Sequence, residues 1–548
     1  MRHIYFYILP LVFFISCSKS DNESPTLIKN FQLASAKIDD QTVENEILRG
    51  ISNIPELILN FPNTIHTSSA EANIALLNEE FKSLPITIAY SSDSKILTIR
   101  PQSPLAFLSK YSLQINSGLT DSEGNKFGPA QTIHFHTQMD AADKFPRISK
   151  DALLTLVQKK TFSYFWDFAH PSSGMARERN TSEDIVTSGG TGFGVMAILV
   201  GIERGFITKE AGKARIEQVV QFLKNADKYH GAFSHWYNGN TGKTQKFSDL
   251  DDGADLVETS LLLQGLLTAR QYFNTADAEN LRQDIWQMYT DVEWTHFQNG
   301  QNVLFWHWSP NHQFQINLKI QGWNESLITY VLAASSPTHP INKSVYDQGW
   351  AKNGSMKNGT TNYGLTLPLG PQLGGPLFLS QYSFLGIDPR GLKDDYADYE
   401  LQTKNHTLIQ RAFAVANPNK FFGYSENVWG FTASDDINGY KVHSPTEDNG
   451  VITPSAALTA FAFTPEESQL VLDYLYYKLG DKLWGEYGFY DAFSLHEPWF
   501  SHSYIAIDQG PIIIGIENHR TKLLWNLFMQ IPEIKSGLST LNFTSPYL

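Results

Sequence analysis

Residues 247–264 place Asp249, Asp251, Asp252, Asp255 and Glu258 at the start of a segment that is otherwise apolar. Leu256, Val257, Leu261, Leu262, Leu263, Leu266 and Leu267 leave that segment no solvent face at helical spacing, so a buried helix is expected over 254–269. Asp255 and Glu258 stand three apart and share one face of it. Carboxylates are costly to bury unless they are paired, hydrogen-bonded or protonated. Helix capping and the helix dipole account for one or two of the five acids. The remainder point to acid–base chemistry on a substrate. A calcium loop does not fit: counted from Asp249 it needs Gly and Glu where the chain has Ala254 and Ser260. No metal set and no cofactor is expected.

A second acid stands apart. Gly322-Trp323-Asn324-Glu325-Ser326 opens another all-apolar run, 327–333, and Glu325 is the only acid of that neighbourhood. Desolvation beside an indole raises a carboxyl pKa, as a general acid near neutral pH requires. The bland alternative is a helix-start Glu favoured by the dipole. The aromatic loop 423–436 then carries Tyr424, Trp429 and Asp435, with His443, Glu447 and Asp448 following. Aromatic faces mixed with side-chain acceptors suit sugar rings and their hydroxyls. Trp323, Tyr424, Trp429, Asp435, His443 and Glu447 are therefore expected to bind substrate, although such loops also pack on themselves. Asp508, ahead of Ile512-Ile513-Ile514, is open to a substrate role or to capping.

The elements that must position these residues fall into two parts. Over 27–140 the pattern is short alternating runs between turns, with strands expected at 57–61, 86–90, 96–99, 111–115 and 132–135. About seven strands in that length suggest an all-β immunoglobulin-like sandwich. Over 145–548, amphipathic helices such as 208–228 and 466–478 alternate with helices apolar all round, such as 254–269 and 326–335. One kind has a single face for a core and the other is covered on both sides. Two concentric layers of helices accommodate both, which points to an all-α (α/α)6 toroid whose long loops form a cleft.

Composition narrows the function. A net charge of −14 over 548 residues argues against nucleic acid, and 12 Trp, 24 Tyr and 35 Phe suit a carbohydrate groove. The only cysteine, Cys17, follows a basic start and an apolar run over 4–15 that is too short to span a bilayer. Residues 1–16 read as a lipoprotein signal peptide, Cys17 as the lipidated residue and 17–26 as a polar tether. A monomer held at the outer membrane by its lipid alone is the expectation.

Several long motifs resemble the bacterial glucoamylase-like domain, in particular glycoside hydrolase family 144, from near 151 to 543. They are Thr191-Gly192-Phe193-Gly194, Glu258-Thr259-Ser260-Leu261, Trp323-Asn324-Glu325-Ser326, Trp429-Gly430-Phe431-Thr432-Ala433-Ser434-Asp435, Gly488-Phe489-Tyr490-Asp491 and Ile507-Asp508-Gln509-Gly510-Pro511. The resemblance implies an (α/α)6 fold and inverting hydrolysis of β-1,2-glucans to sophorose or sophoro-oligosaccharides. It marks the acids at Asp251, Asp255, Glu258 and Glu325, and Asn324 departs from an Asp frequent before that Glu. The segment before it, around 119–126, resembles bacterial Ig-like modules. A non-catalytic surface glycan-binding lipoprotein shares the anchor and the aromatics, and a lyase or a glycosidase of another linkage shares the toroid. Lyases need cations against uronate, which −14 disfavours.

Overall fold

The computed structural model describes residues 30–44 and 46–548; the expected signal peptide, Cys17 and the tether lie outside the described residues. The chain divides between Gln138 and Met139 into two compact units. In the first, one five-stranded sheet runs in the order Leu48–Ile51, Gln131–Thr137, Lys110–Ile115, Ile74–Asn78, Ser83–Leu84. The other runs Gln41–Thr42, Ser35–Ile38, Leu57–Asn60, Ile96–Pro101, Ile86–Tyr90. Alternation puts Leu57, Leu59, Leu97 and Ile99 of one sheet and Leu113, Ile115, Ile133 and Phe135 of the other into a shared core. The sheets hold ten strands rather than about seven, because two-residue edge strands carry no alternation to read, and a short helix, α1 (Thr67–Asn73), interrupts them.

The second unit carries α2 (Lys150–Trp166), α3 (Ser188–Glu203), α4 (Lys209–Asn225), α5 (Leu256–Tyr272), α6 (Glu279–Thr290) and α7 (Leu327–Ser335). It continues with α8 (Lys343–Val345), α9 (Tyr399–Ala416), α10 (Pro454–Thr459), α11 (Pro465–Leu483), α12 (Ala506–Arg520), α13 (Leu523–Met529) and α14 (Pro532–Thr540). Alternation along the chain is alternation in depth. Helices α3, α5, α7, α10 and α12 are buried nearly all round, whereas α4, α6 and α11 bury one face. In α4 that face is Ile216, Val219, Val220 and Leu223, at helical spacing, and Thr208 caps its start by accepting from the Ala211 N–H at 3.2 Å. Helix α3 packs on α5 and α12, α12 on α10 and α2, and α7 on α5 and α14. Among the described residues, no helix is long and apolar enough to cross a membrane.

The α3–α5 crossing is close because it is made of glycine. A Cβ on Gly192 would lie 2.1 Å from the Leu261 carbonyl oxygen, and one on Gly265 would lie 2.0 Å from that of Gly192. Glycine costs a helix about 1 kcal/mol relative to alanine. Here it lets two buried backbones touch, and that contact sets where the start of α5 sits.

Candidate active site

A cavity of about 410 Å³ opens in the helical unit, with Glu258, Glu325, His235, Arg179, Tyr382 and Tyr440 among its lining. Glu258 lies in the first turn of α5 and Glu325 just ahead of α7. Asp255 is the N-cap of α5. Its Oδ1 accepts from the backbone N–H groups of Val257 and Glu258, both at 2.9 Å. Its Oδ2 accepts from His235 Nδ1 and Trp306 Nε1, each at 3.2 Å, with His307 Nε2 at 3.6 Å. A two-residue antiparallel pairing, Ala254–Asp255 with His307–Trp308, brings that second histidine alongside.

Electrostatics divide the group. Burial works against charge on Asp255, yet hydrogen bonds from His235 and His307 and their charges hold its carboxyl well below the usual range. Burial likewise opposes protonation of His235, but the charges of Glu258 and Asp255 raise it to about 9. His307 is also opposed by burial, and is raised to about 10 by Asp251, 3.2 Å from its Nε2, and by Asp255. Both histidines are cations at neutral pH. Asp251, Asp255 and His307 have ligand atoms within 4.8 Å of one another. A metal there would have to displace the proton that His307 shares with these carboxylates.

Glu258 is 8% exposed. Its Oε2 accepts from the Gly189 N–H at 2.7 Å and the Thr187 hydroxyl at 3.4 Å, and its Oε1 stands 4.0 Å from His235 Nε2. A Cβ at position 189 would lie 2.7 Å from Oε2, so glycine there is what admits the carboxylate. Burial raises the Glu258 pKa, the His235 cation opposes the rise and the charge of Asp255 adds to it. Also in the cavity lining, Glu325 is pushed up by burial to about 7, with the charges of Asp255 and Glu258 adding to the shift. Ser383 fixes the Glu325 backbone: its hydroxyl donates to the Glu325 carbonyl and accepts from the Ile328 N–H at 3.0 Å. The cavity thus holds two carboxyls raised by burial, of which Glu258 is the one faced by an imidazolium.

A further acid group adjoins it. Arg179 pairs with Asp435 at 3.0 Å, and Ser501 and Ser503 donate to the other Asp435 oxygen. Asp491 accepts from the Asp435 N–H at 2.7 Å, and Asp508 accepts from the Tyr382 hydroxyl at 3.5 Å. Burial pushes Asp491 up to about 7; burial and the charge of Asp491 raise Asp508 well above the usual range.

None of the seven residues expected to contact substrate lines the cavity: Asp435 and Asp508 stand in the adjoining acid group, and the other five pack elsewhere. Trp323 packs among Trp350, Phe384 and Tyr399. Trp429 is fully buried, and the Tyr424 ring leans on Phe421 and Phe431 while its hydroxyl donates to Asp448 at 2.6 Å. His443 is buried with Nε2 3.6 Å from Asp436, and Glu447 is exposed. The loop closed on its own aromatics, a packing that composition does not distinguish from a sugar platform. His235, His307, Arg179, Tyr382 and Tyr440 were missed: each is isolated in sequence and meets the acids only through the fold; Asp491 stood in a family motif but was given no role. Elsewhere His230, Glu293 and His296 cluster, but the two imidazoles stack 3.4 Å apart at 13°, so their in-plane lone pairs run side by side rather than converging.

Residues 317–532 match a family model described as "Putative glucoamylase", and 43–137 match a bacterial Ig-like domain. The exo β-1,2-glucooligosaccharide sophorohydrolase (non-reducing end) of Parabacteroides distasonis is 42% identical over 427 residues, covering 73% of this chain and 59% of that protein. The chain therefore matches well under two thirds of that curated relative's length. An endo-β-1,2-glucanase structure from Chitinophaga pinensis, with sophorotriose and glucose, is 49% identical with TM-score 0.72, covering 73% of this chain and all of that one. A β-1,2-glucanase structure from Parabacteroides distasonis is 34% identical with TM-score 0.71, covering 93% of this chain and 74% of that one. With nearly half its residues shared along the whole Chitinophaga chain, this chain belongs to the bacterial glucoamylase-like proteins of glycoside hydrolase family 144, with a bacterial Ig-like domain ahead of the helical unit.

Proposed function

We propose that the chain hydrolyses β-1,2-glucan with inversion at the anomeric carbon, releasing sophorose or sophoro-oligosaccharides, on helices closed into an (α/α)6 double ring. We further propose that Cys17 anchors it by a lipid to the outer membrane. The observation that carries the reading is the pairing of Glu325 and Glu258 in one cavity, with the His235 imidazolium facing Glu258 and not Glu325. Glu325, at about 7, retains a proton to give to the glycosidic oxygen as the bond breaks. Glu258, oriented by Gly189 and Thr187 and faced by His235, is the carboxylate to activate water on the opposite face. Inversion needs such a pair roughly 6.5–9.5 Å apart, leaving room for that water. Asp255, held far below the usual range and fully hydrogen-bonded, is a poor base. It orients the histidines, and Asp251 steadies His307. The alternation of buried and one-faced helices supports the double ring, and the β-1,2-glucan named for the relatives supports the substrate.

The test is purified protein with linear β-1,2-glucan, starch, cellulose and laminarin. Only β-1,2-glucan should shorten, and the first product should carry the α-anomer. A spread of product lengths marks internal cleavage, and sophorose alone marks cleavage from an end. Hydrolysis of starch without β-1,2-glucan overturns the reading.

A further inference from the structure

A second cavity of about 470 Å³ lies in the helical unit, lined by Trp484, Tyr490, Trp499 and Phe500 together with Asp481, Lys482 and His502. It shares no lining residue with the acid cavity. Two hairpins build it: Trp484–Gly485 pairs with Gly488–Phe489, and Phe493–Ser494 pairs with Trp499–Phe500. Its aromatics are held in place before any ligand arrives. Tyr476 and Phe489 meet Trp484 edge-on at 5.2 and 4.8 Å, and Phe493 stacks on Phe500 at 6.1 Å and 8°. His502 meets Tyr490 edge-on at 5.0 Å.

All four aromatics remain half-buried rather than buried. Among the described residues, neither Trp484 nor Trp499 gives its indole N–H to a protein acceptor, which leaves both donors available to a ligand hydroxyl. The lining has one anion and one cation, so it selects no charged ligand. A purely apolar ligand would leave Asp481, Lys482 and His502 unmatched. Flat C–H faces for the rings and hydroxyls for those polar groups are what a neutral sugar offers. The wall is also continuous with the acid group. Tyr490 directly precedes Asp491, and the second hairpin runs on into Ser501 and Ser503, which hold Asp435.

We propose that this cavity is a second glucan-binding site, gripping the same chain outside the acid cavity; the proposal rests on the glucan reading above. It is tested in the full chain carrying Glu325→Gln, by affinity electrophoresis through gels containing linear β-1,2-glucan. Adding Trp499→Ala or Trp484→Ala should weaken retention at least about five-fold, as losing a buried aromatic anchor does. With Glu325 intact, the same substitutions should lower kcat/KM on long glucan while leaving the shortest cleaved oligosaccharide within about two-fold. Unchanged retention, or equal losses on long and short substrates, overturns the second site. Failure of the Glu325→Gln protein to bind any β-1,2-glucan overturns the glucan reading instead. Thermal midpoints are read alongside, and Lys482→Ala, on a half-buried side chain, makes the same comparison should an indole variant not fold.

Discussion

Both oxygens of Asp255 are already taken, by two backbone N–H groups on one side and by two histidines and an indole on the other. On the proposed mechanism, proton transfer falls to the carboxyls that face the cavity. Glu325→Gln should lower kcat by about 10²–10⁴-fold while leaving the thermal midpoint and glucan affinity near wild type; activity within a few-fold of wild type sinks the acid assignment. Because Glu325 titrates at about 7 and must be protonated to act, kcat/KM should fall as pH rises through about 7. The histidines make a separate prediction for stability. Their folded pKa values, about 9 for His235 and about 10 for His307, exceed the ordinary 6.5. Their contribution is thus complete below about pH 6.5 and is lost as pH rises toward 9–10. Thermal midpoints measured from pH 6 to 10 should fall over that window, and His307→Gln should flatten the decline. A variant with an unaltered slope refutes the ion-paired imidazolium.

At the scale of elements, the close approach of α3 and α5 gives a test with a diagnostic sign. Gly→Ala inside an exposed helix stabilises by up to about 1 kcal/mol. Gly192→Ala should instead destabilise by about 1–3 kcal/mol in denaturant unfolding, because its Cβ meets the Leu261 carbonyl. Long buried helices were legible from composition: the run expected over 254–269 is α5, Leu256–Tyr272, and that over 326–335 is α7, Leu327–Ser335. Two-residue strands were not, and they matter out of proportion to their length. The pairing that brings His307 to Asp255 spans 52 positions and carries no periodicity. Glu325 and Glu258 stood out because an acid beside an apolar run is anomalous locally. Trp429 misled because an indole in a polar loop looks the same whether it meets a sugar or the protein's own core.

For the whole molecule, the single cysteine removes disulfides from the account of stability, so the two cores must hold the two units. The lipid anchor proposed at Cys17 has its own test. Cys17→Ser should move the protein from the membrane to the soluble fraction on cell fractionation, and unchanged partitioning would defeat the anchor. The two-unit division shows why the Ig-like strands carry none of the acids of the site: every residue lining the acid cavity lies beyond Gln138.

Gly189 has a consequence for anyone who would engineer this protein. By propensity alone, α3 is a poor helix, with glycine at 189, 190, 192, 194 and 201, and a consensus or heat-hardening programme would single it out for repair. Alanine at 189 would take the space of the Glu258 carboxylate and push it off the N–H that aims it. Robustness and turnover therefore compete for the same position, and a variant selected only for survival at high temperature should drift toward an inert, well-folded protein.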